Sequence, residues 1–363
     1  MRHRLLGPAE RSEVVKQLHF VLPDAARDPN RPSGGNSYDV RASDGLAATG
    51  WQVIEHALPD SWPIPGAGVA DRVARTLASI PSESIVLIDG LIASVSASAC
   101  VQQSRRLAVV VLMHLPTWHE PEAEVLRAAA GVVTTSRWTR AELLTRYALP
   151  ESAVHVAEPG VDPAAPATGN PAQLVNVAAV SAIKGQDTLL SALARLRDRP
   201  DWHCRLVGPL DREPAFTVQL RERAAESDIA DRVSFIGPLL GNDLAAAYRA
   251  SGLAVVASRT ETFGLSITEA LAHGLPVIGT DTGGVPEALG TTTLGAPAVL
   301  VRPDDDAALA AALRTWLDDD EFRGRLQAAA RERRTTLPRW QRTVERIDGV
   351  LRVIEQGGQP CRN

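Results

Sequence analysis

The sequence predicts an α/β protein built from two doubly wound parallel sheets that face each other across a cleft. Three observations predict this. The chain has 363 residues, more than one hydrophobic core usually supports, so two domains are expected. Short apolar runs rich in Val and Ile recur along its whole length without strict alternation, as strands buried on both faces do. Helical patterns lie between these runs, which gives repeated βα units.

In the first half the predicted strands are Gln17–Leu22, Gln52–His56, Ser84–Ile88, Leu107–Met113, Val132–Thr135 and Ala153–Ala157. In the second they are Leu174–Val180, Cys204–Val207, Val233–Ile236, Leu253–Ala257, Val277–Gly279 and Ala298–Val301. Between the halves, residues 158–171 carry four prolines and two glycines, the composition of an interdomain connection. From Trp340 a last helix places Val344, Ile347, Val350, Leu351 and Ile354 at apolar positions, and residues 357–363 read as a frayed end. The expected boundaries are therefore residues 1–160, 172–339 and a C-terminal helix, 340–363.

Composition removes several classes of function. Hydrophobic residues make up 45% and charged residues 22%, and the formal net charge is −5. Basic side chains are interspersed with acids and form no stripe, so nucleic acid is not an expected partner. The three cysteines, Cys100, Cys204 and Cys361, form no CxxC and suit a reducing compartment. The N-terminus has no signal-peptide core and no run approaches the ~18 apolar residues of a span, so a cytoplasmic enzyme is expected. No basic amphipathic helix supports attachment to a membrane surface.

Ligands of open parallel sheets bind beyond the carboxyl ends of the strands, so the loops there are the ones to search. Ser258–Pro276 is the most informative. A strand runs into a loop and then a helix from about Gly264, whose stop is Gly274 followed by Pro276. Free N–H groups and the helix dipole at such a start suit a pyrophosphate. Glu261 precedes the helix and Glu269 lies about one and a half turns, ~8 Å, inside it, so two acceptor groups flank the phosphate site. Taken alone, the pair reads as a loop carboxylate and a solvated helix residue; Phe263-Gly264 between them favours the functional reading.

Lys184-Gly185 follows the first strand of the second half, and the next helix has Leu189, Leu190, Leu193 and Leu196 on one face. A loop lysine is ordinarily just solvated. This chain, however, has only Lys16 and Lys184 among its 38 Lys and Arg, so Lys184 stands out as a point charge for a diphosphate. Gly34-Gly35, within Pro32–Ser37, would let backbone amides approach a ligand, or would be a plain flexible turn. His114, at the end of its strand, could donate to a sugar hydroxyl or help stabilise charge at a reacting carbon; otherwise it is a structural cap.

Together these loops resemble the retaining glycosyltransferases of family 4, which have the two-domain GT-B fold. The resemblance covers nearly the whole chain and is densest from Val177 to Leu289. Glu261 and Glu269 match the family's acidic motif, Lys184-Gly185 its diphosphate-binding pair, Gly34-Gly35 its N-domain glycine loop, and His114 the histidine after the fourth strand. Gly283-Gly284-Val285-Pro286-Glu287 matches the Gly-Gly-x-x-Glu that follows. The resemblance implies a nucleotide-sugar donor (UDP, GDP or ADP), a hexose moved with retention to an acceptor hydroxyl, and no metal or other cofactor. It implies that Glu261 contacts the donor sugar, Glu269 the ribose, and the loop Thr262, Phe263, Gly264 and Leu265 the phosphates. Many relatives carry an arginine six residues before the lysine; here that position is Ala178, and Ser181 or Arg259 is the candidate to compensate.

A nucleotide-sugar epimerase, a phosphorylase and a non-catalytic sugar-nucleotide sensor remain as alternatives on the same fold. The acceptor is not readable, although the stretch Trp51 to Trp62 and Trp118 could offer stacking surfaces. Weaker signals are set aside. Gly66-Ala-Gly68 does not directly follow a strand. Asp304–Asp306 reads as an N-cap and Asp318–Asp320 as a solvated helix end. His114 and His119 lack a third ligand.

Overall fold

A computed structural model describes residues 16–59, 66–199 and 201–357. Trp62, Cys361, the residues beyond 357 where a frayed end was expected, and the first residues of the chain lie outside the described residues.

All twelve predicted strands are present, within a few residues of their predicted bounds. They are β1 (Lys16–Pro23), β2 (Trp51–Leu58), β3 (Ile85–Asp89), β4 (Ala108–Met113), β5 (Gly131–Thr134) and β6 (Val154–Val156), then β7 (Asn170–Val177), β8 (His203–Val207), β9 (Val233–Gly237), β10 (Ser251–Val256), β11 (Val277–Thr280) and β12 (Ala298–Val301). They form two six-stranded sheets, ordered β2-β1-β3-β4-β5-β6 and β12-β11-β10-β7-β8-β9. Every pairing is parallel. The strands were legible because the inner ones are buried on both faces: every residue of β3, β5, β10 and β11 is buried.

In each sheet the strand order reverses at one place, between β1 and β3 in the first and between β7 and β10 in the second. A crevice opens outside the strand ends at such a switch point. The helix that follows β1 starts at Gly34-Gly35, and the loops after β7 and β10 carry Lys184 and Glu261, so the topology alone puts these residues at the two crevices.

The connection between sheets lies along the second half. Val161 N–H donates to Pro338 O at 2.9 Å, Ala167 N–H to His273 O at 2.8 Å, and Thr168 N–H to Arg249 O at 3.1 Å. β7 begins at Asn170, two residues before the expected start of that half. The helix Trp340–Glu355 packs back on the first half: Val344, Ile347 and Leu351 join the core under β1 and the helix Gly34–Ala48, and Trp51 Nε1 donates to Asp348 at 2.7 Å. Trp51 is thus a buried packing residue and offers no stacking surface. Trp118 is half-buried, with Arg146 4.4 Å over its ring and Tyr147 beside it. Asp305 caps its helix at Ala308 N, as expected; Asp319, expected to be solvated, also caps one, at Phe322 N. Among the described residues no helix is long and apolar enough to cross a membrane.

Candidate functional site

The second crevice is built on close backbone approaches. β10 delivers Ser258 to Glu261, and the helix Leu265–Ala272 starts behind Gly264 with φ 97° and no side chain capping it. Its first N–H groups therefore lack side-chain acceptors, as an anion site requires. The helix ends as predicted: Gly274 N–H donates to Leu271 O at 2.9 Å and Leu275 N–H to Ala270 O at 3.0 Å. Two glycines allow the loops to meet. A side chain on Gly283, whose φ is +55°, would place Cβ 1.9 Å from Glu261 O, and one on Gly185, φ +64°, would place it 2.0 Å from Ala257 O.

Lys184 Nζ donates to Glu261 Oε2 at 2.6 Å, and Ser258 Oγ donates to the same oxygen at 3.3 Å. Glu269 is half-buried, and its Oε2 accepts from the Tyr248 hydroxyl at 2.9 Å. Burial pushes its pKa up to about 7, against the pull of that hydroxyl and with help from Asp162. Phe263 is buried in the core, Thr262 presents its carbonyl to Gly284, and Leu265 reaches the other half of the molecule.

Arg259 does not join this group. Its guanidinium makes a two-pronged contact with Asp187 at 2.9 and 2.8 Å, donates to Asp304 at 2.8 Å, and also contacts the carbonyl of Ala182. Its donors are thereby committed. Ser181 is buried beside the loop, with its amide 3.4 Å from Gln186 Oε1. The position of the missing arginine, Ala178, has its carbonyl against Gly208.

The first crevice faces the second. A Cβ on Gly34 would lie 3.3 Å from Leu265 Cδ1, and one on Gly35 would lie 3.5 Å from His114 Cδ2. The glycine-bearing first turn of the helix Gly34–Ala48, where the sequence suggested a loop, is thus sandwiched between the start of the second-half helix and the histidine that follows β4. His114 is buried, and its Nε2 is 2.7 Å from Asp39 Oδ1 and 3.8 Å from Asp89 Oδ2. Burial alone would lower the His114 pKa, but Asp39 and then Asp89 outweigh it and raise it. Asp89 is pushed up to about 7 by burial and by Asp39, while His114 and the amides of Ile92 and Leu91 pull it down. A cavity of about 320 Å³ lies alongside, lined by Arg27, Asn36, Ser37 and Arg41 from the first half and Leu240 from the second.

The sequence reading missed Asp39 and Asp89. Asp39 follows Gly35 by four residues, one helical turn, and Asp89 ends the apolar run of β3; those are the signals that could have found them. It noted Glu287 only as part of a motif. Here the Glu287 carboxylate accepts from the backbone N–H groups of Arg137, at 3.0 and 2.9 Å, and of Trp138 at 3.3 Å.

Two six-stranded parallel sheets whose switch-point loops confront each other define the GT-B glycosyltransferase fold. Within it, residues 162–333 match the family model described as "Glycosyl transferases group 1". D-inositol 3-phosphate glycosyltransferase of Salinispora arenicola is 33% identical over 257 residues, 64% of this chain and 56% of that protein. The enzyme of the same name from Stackebrandtia nassauensis is 31% identical over 277 residues, 69% of this chain and 62% of that protein. The chain thus spans between about half and three fifths of the length of these relatives. Among solved structures, sucrose-phosphate synthase from Thermosynechococcus elongatus superposes with a TM-score of 0.78 at 22% identity, covering 94% of this chain and all of that one. Anabaena HepE in complex with UDP-glucose gives 0.72 at 17% identity, covering 93% and 99%.

Proposed function

We propose that the protein is a retaining glycosyltransferase that moves a hexose from a nucleotide-diphosphate sugar to an acceptor hydroxyl without a metal ion. The observation that carries this reading is the Lys184–Glu261 pair at the second switch point, set beside an uncapped helix start and opposite the glycine loop. A diphosphate arriving there competes with Glu261 for the ammonium. Lys184 turns to the phosphates, and Glu261 is released to accept from sugar hydroxyls. Amides at Phe263, Gly264 and Leu265 take the remaining phosphate oxygens, and Glu269 receives the ribose. The UDP-glucose held by HepE supports the donor class.

In this mechanism the nucleoside diphosphate leaves and the anomeric carbon passes through an oxocarbenium-like state. Lys184 and the helix amides stabilise the charge growing on the leaving group, which is the task a metal performs elsewhere. The acceptor attacks from the face the diphosphate vacates, and the departing phosphate takes its proton. His114 positions the sugar ring. The first half supplies the acceptor side, where the cavity at Asn36 and Arg41 lies. Closure of the halves keeps water away from the reacting carbon.

The test is turnover with UDP-, GDP- and ADP-sugars in excess EDTA, with D-inositol 3-phosphate among the acceptors because the relatives carry that name. The reading predicts transfer that EDTA leaves intact. Activity that vanishes and returns only with Mg²⁺ would refute the metal-free mechanism. Donor consumed without an acceptor would point to epimerisation.

A further inference from the structure

The geometry points to Asp39 and Asp89 as positioning residues that hold His114 protonated and fixed, so that its Nδ1–H is a permanent donor at the reaction centre. The inference rests on the reading of His114 as a residue at the donor sugar and deepens it.

Three buried groups from three elements converge here: Asp39 from the helix Gly34–Ala48, Asp89 from the end of β3 and His114 from the end of β4. One polar side-chain atom of each lies within 4.8 Å of the others. Asp39 Oδ1 takes Nε2, while Asp39 Oδ2 is buried with no hydrogen-bond partner among the described residues. A buried carboxylate oxygen without a donor is costly unless a positive charge lies close by, and the nearest candidate is the imidazole itself. Asp89 is anchored independently: its Oδ1 accepts from Leu91 N–H at 2.8 Å and Ile92 N–H at 3.1 Å, which leaves Oδ2 turned to the ring. The remaining titratable neighbour is Tyr38, whose ring meets His114 edge-on at 5.0 Å; its hydroxyl is pushed well above its usual range and donates to Ala157 O, so it stays neutral.

The free edge of the ring follows from these contacts. Gly35 covers Cβ, Cγ and Cδ2, and Asp39 holds Nε2. Nδ1 and Cε1 remain. A neutral ring that donates from Nε2 presents a bare Nδ1, whereas a protonated ring presents Nδ1–H. A protonated His114 cannot act as the base for the acceptor, which agrees with a mechanism in which the departing phosphate takes that proton. The cluster as a whole also carries no net positive charge, because at least one carboxylate balances the imidazolium. It therefore does not oppose the positive charge that develops on the anomeric carbon.

The experiment is a pH titration of the ¹⁵N-histidine-labelled 363-residue chain by NMR, with the His114 signals assigned from their loss in His114→Gln. The inference predicts a wild-type midpoint above the ordinary value of about 6.5, a fall of about one pH unit or more in Asp39→Asn, and a smaller fall in Asp89→Asn. If Asp39→Asn does not fold, the wild-type midpoint and Asp89→Asn decide. A wild-type midpoint at or below the ordinary value, or midpoints unmoved by either substitution, would overturn it. So would micromolar ZnCl₂ displacing the proton from the wild-type ring. Failure of the donor-site reading is separate: nucleotide-sugars would then give no thermal protection to a protein whose His114 still titrates high.

Discussion

Glu287, at the start of a short helix after β11, caps the N-terminus of the helix Arg137–Tyr147 after β5, in the other half of the molecule. Within the helix itself, Ser136 Oγ accepts from Thr139 N–H, so the two acceptors divide the first-turn donors between them. The Arg137 side chain continues the link to Glu158 at 2.7 Å, on the connection between the sheets. The contact ties the two halves of the molecule together.

Glu287→Ala should therefore weaken the seating of one half on the other. A lost cap and its charge at a helix N-terminus are together worth about 1–2 kcal/mol. The expected outcome is a lower midpoint in denaturant with unaltered folding cooperativity, and Glu287→Gln should recover part of the loss. An unchanged midpoint would show that the contact contributes nothing.

Gly283→Ala should damage the donor site more than the fold. The new Cβ would fall 1.9 Å from Glu261 O on a backbone with positive φ, so the Glu261 loop must move. Donor affinity should drop at least about tenfold, the effect of losing one or two polar contacts. Calorimetric titration of the donor nucleotide reads this directly, and wild-type affinity would contradict it.

Glu269 makes a prediction about protons. Its pKa in the folded protein is pushed up to about 7, so at pH 6 it is largely protonated when empty. Ribose hydroxyls favour the carboxylate, so nucleotide binding should release protons near pH 6 and affinity should rise between pH 6 and pH 8. Calorimetry in two buffers of different ionisation enthalpy measures the release. The sign for stability is opposite. A carboxyl raised in the folded state contributes stability that is present below its unfolded pKa and is lost as pH rises through the folded one. Glu269 and Asp89 each contribute stability to the empty protein that falls between pH 5 and pH 8, opposite in sign to the contribution of His19, His56, His155 and His273, whose pKa values burial lowers. Glu269→Gln should abolish the proton release and flatten its part of the slope.

The strands were legible because parallel strands buried on two faces write their burial into consecutive Val and Ile positions, as Ile85–Asp89 and Ala108–Met113 do. Lys184, Glu261 and Gly34-Gly35 were singled out because ligands of parallel sheets sit beyond the carboxyl ends of the strands, so placing the strands named the segments to search; the strand order that brings those segments to two switch points came only with the structure. What depends on side-chain partners was not. Arg259 looked free to replace the arginine absent at Ala178, yet Asp187 and Asp304 hold it. Trp51 looked like a stacking surface, yet its indole serves the last helix through Asp348. Asp39, Asp89 and His114 lie on separate elements, and no local spacing announces that they meet.

The central claim is that the turn into the helix at Leu265 grips a diphosphate with Lys184 as its cation. The most direct measurement compares UDP, GDP and ADP with their own nucleosides, in EDTA, on wild-type protein and on Lys184→Met. The account predicts that at least one diphosphate binds about a hundredfold or more tighter than its nucleoside, as a charged hydrogen-bonded contact allows, and that Lys184→Met removes most of that preference while leaving nucleoside binding alone. Equal affinity for diphosphate and nucleoside, or a preference that survives the loss of Lys184, would contradict it.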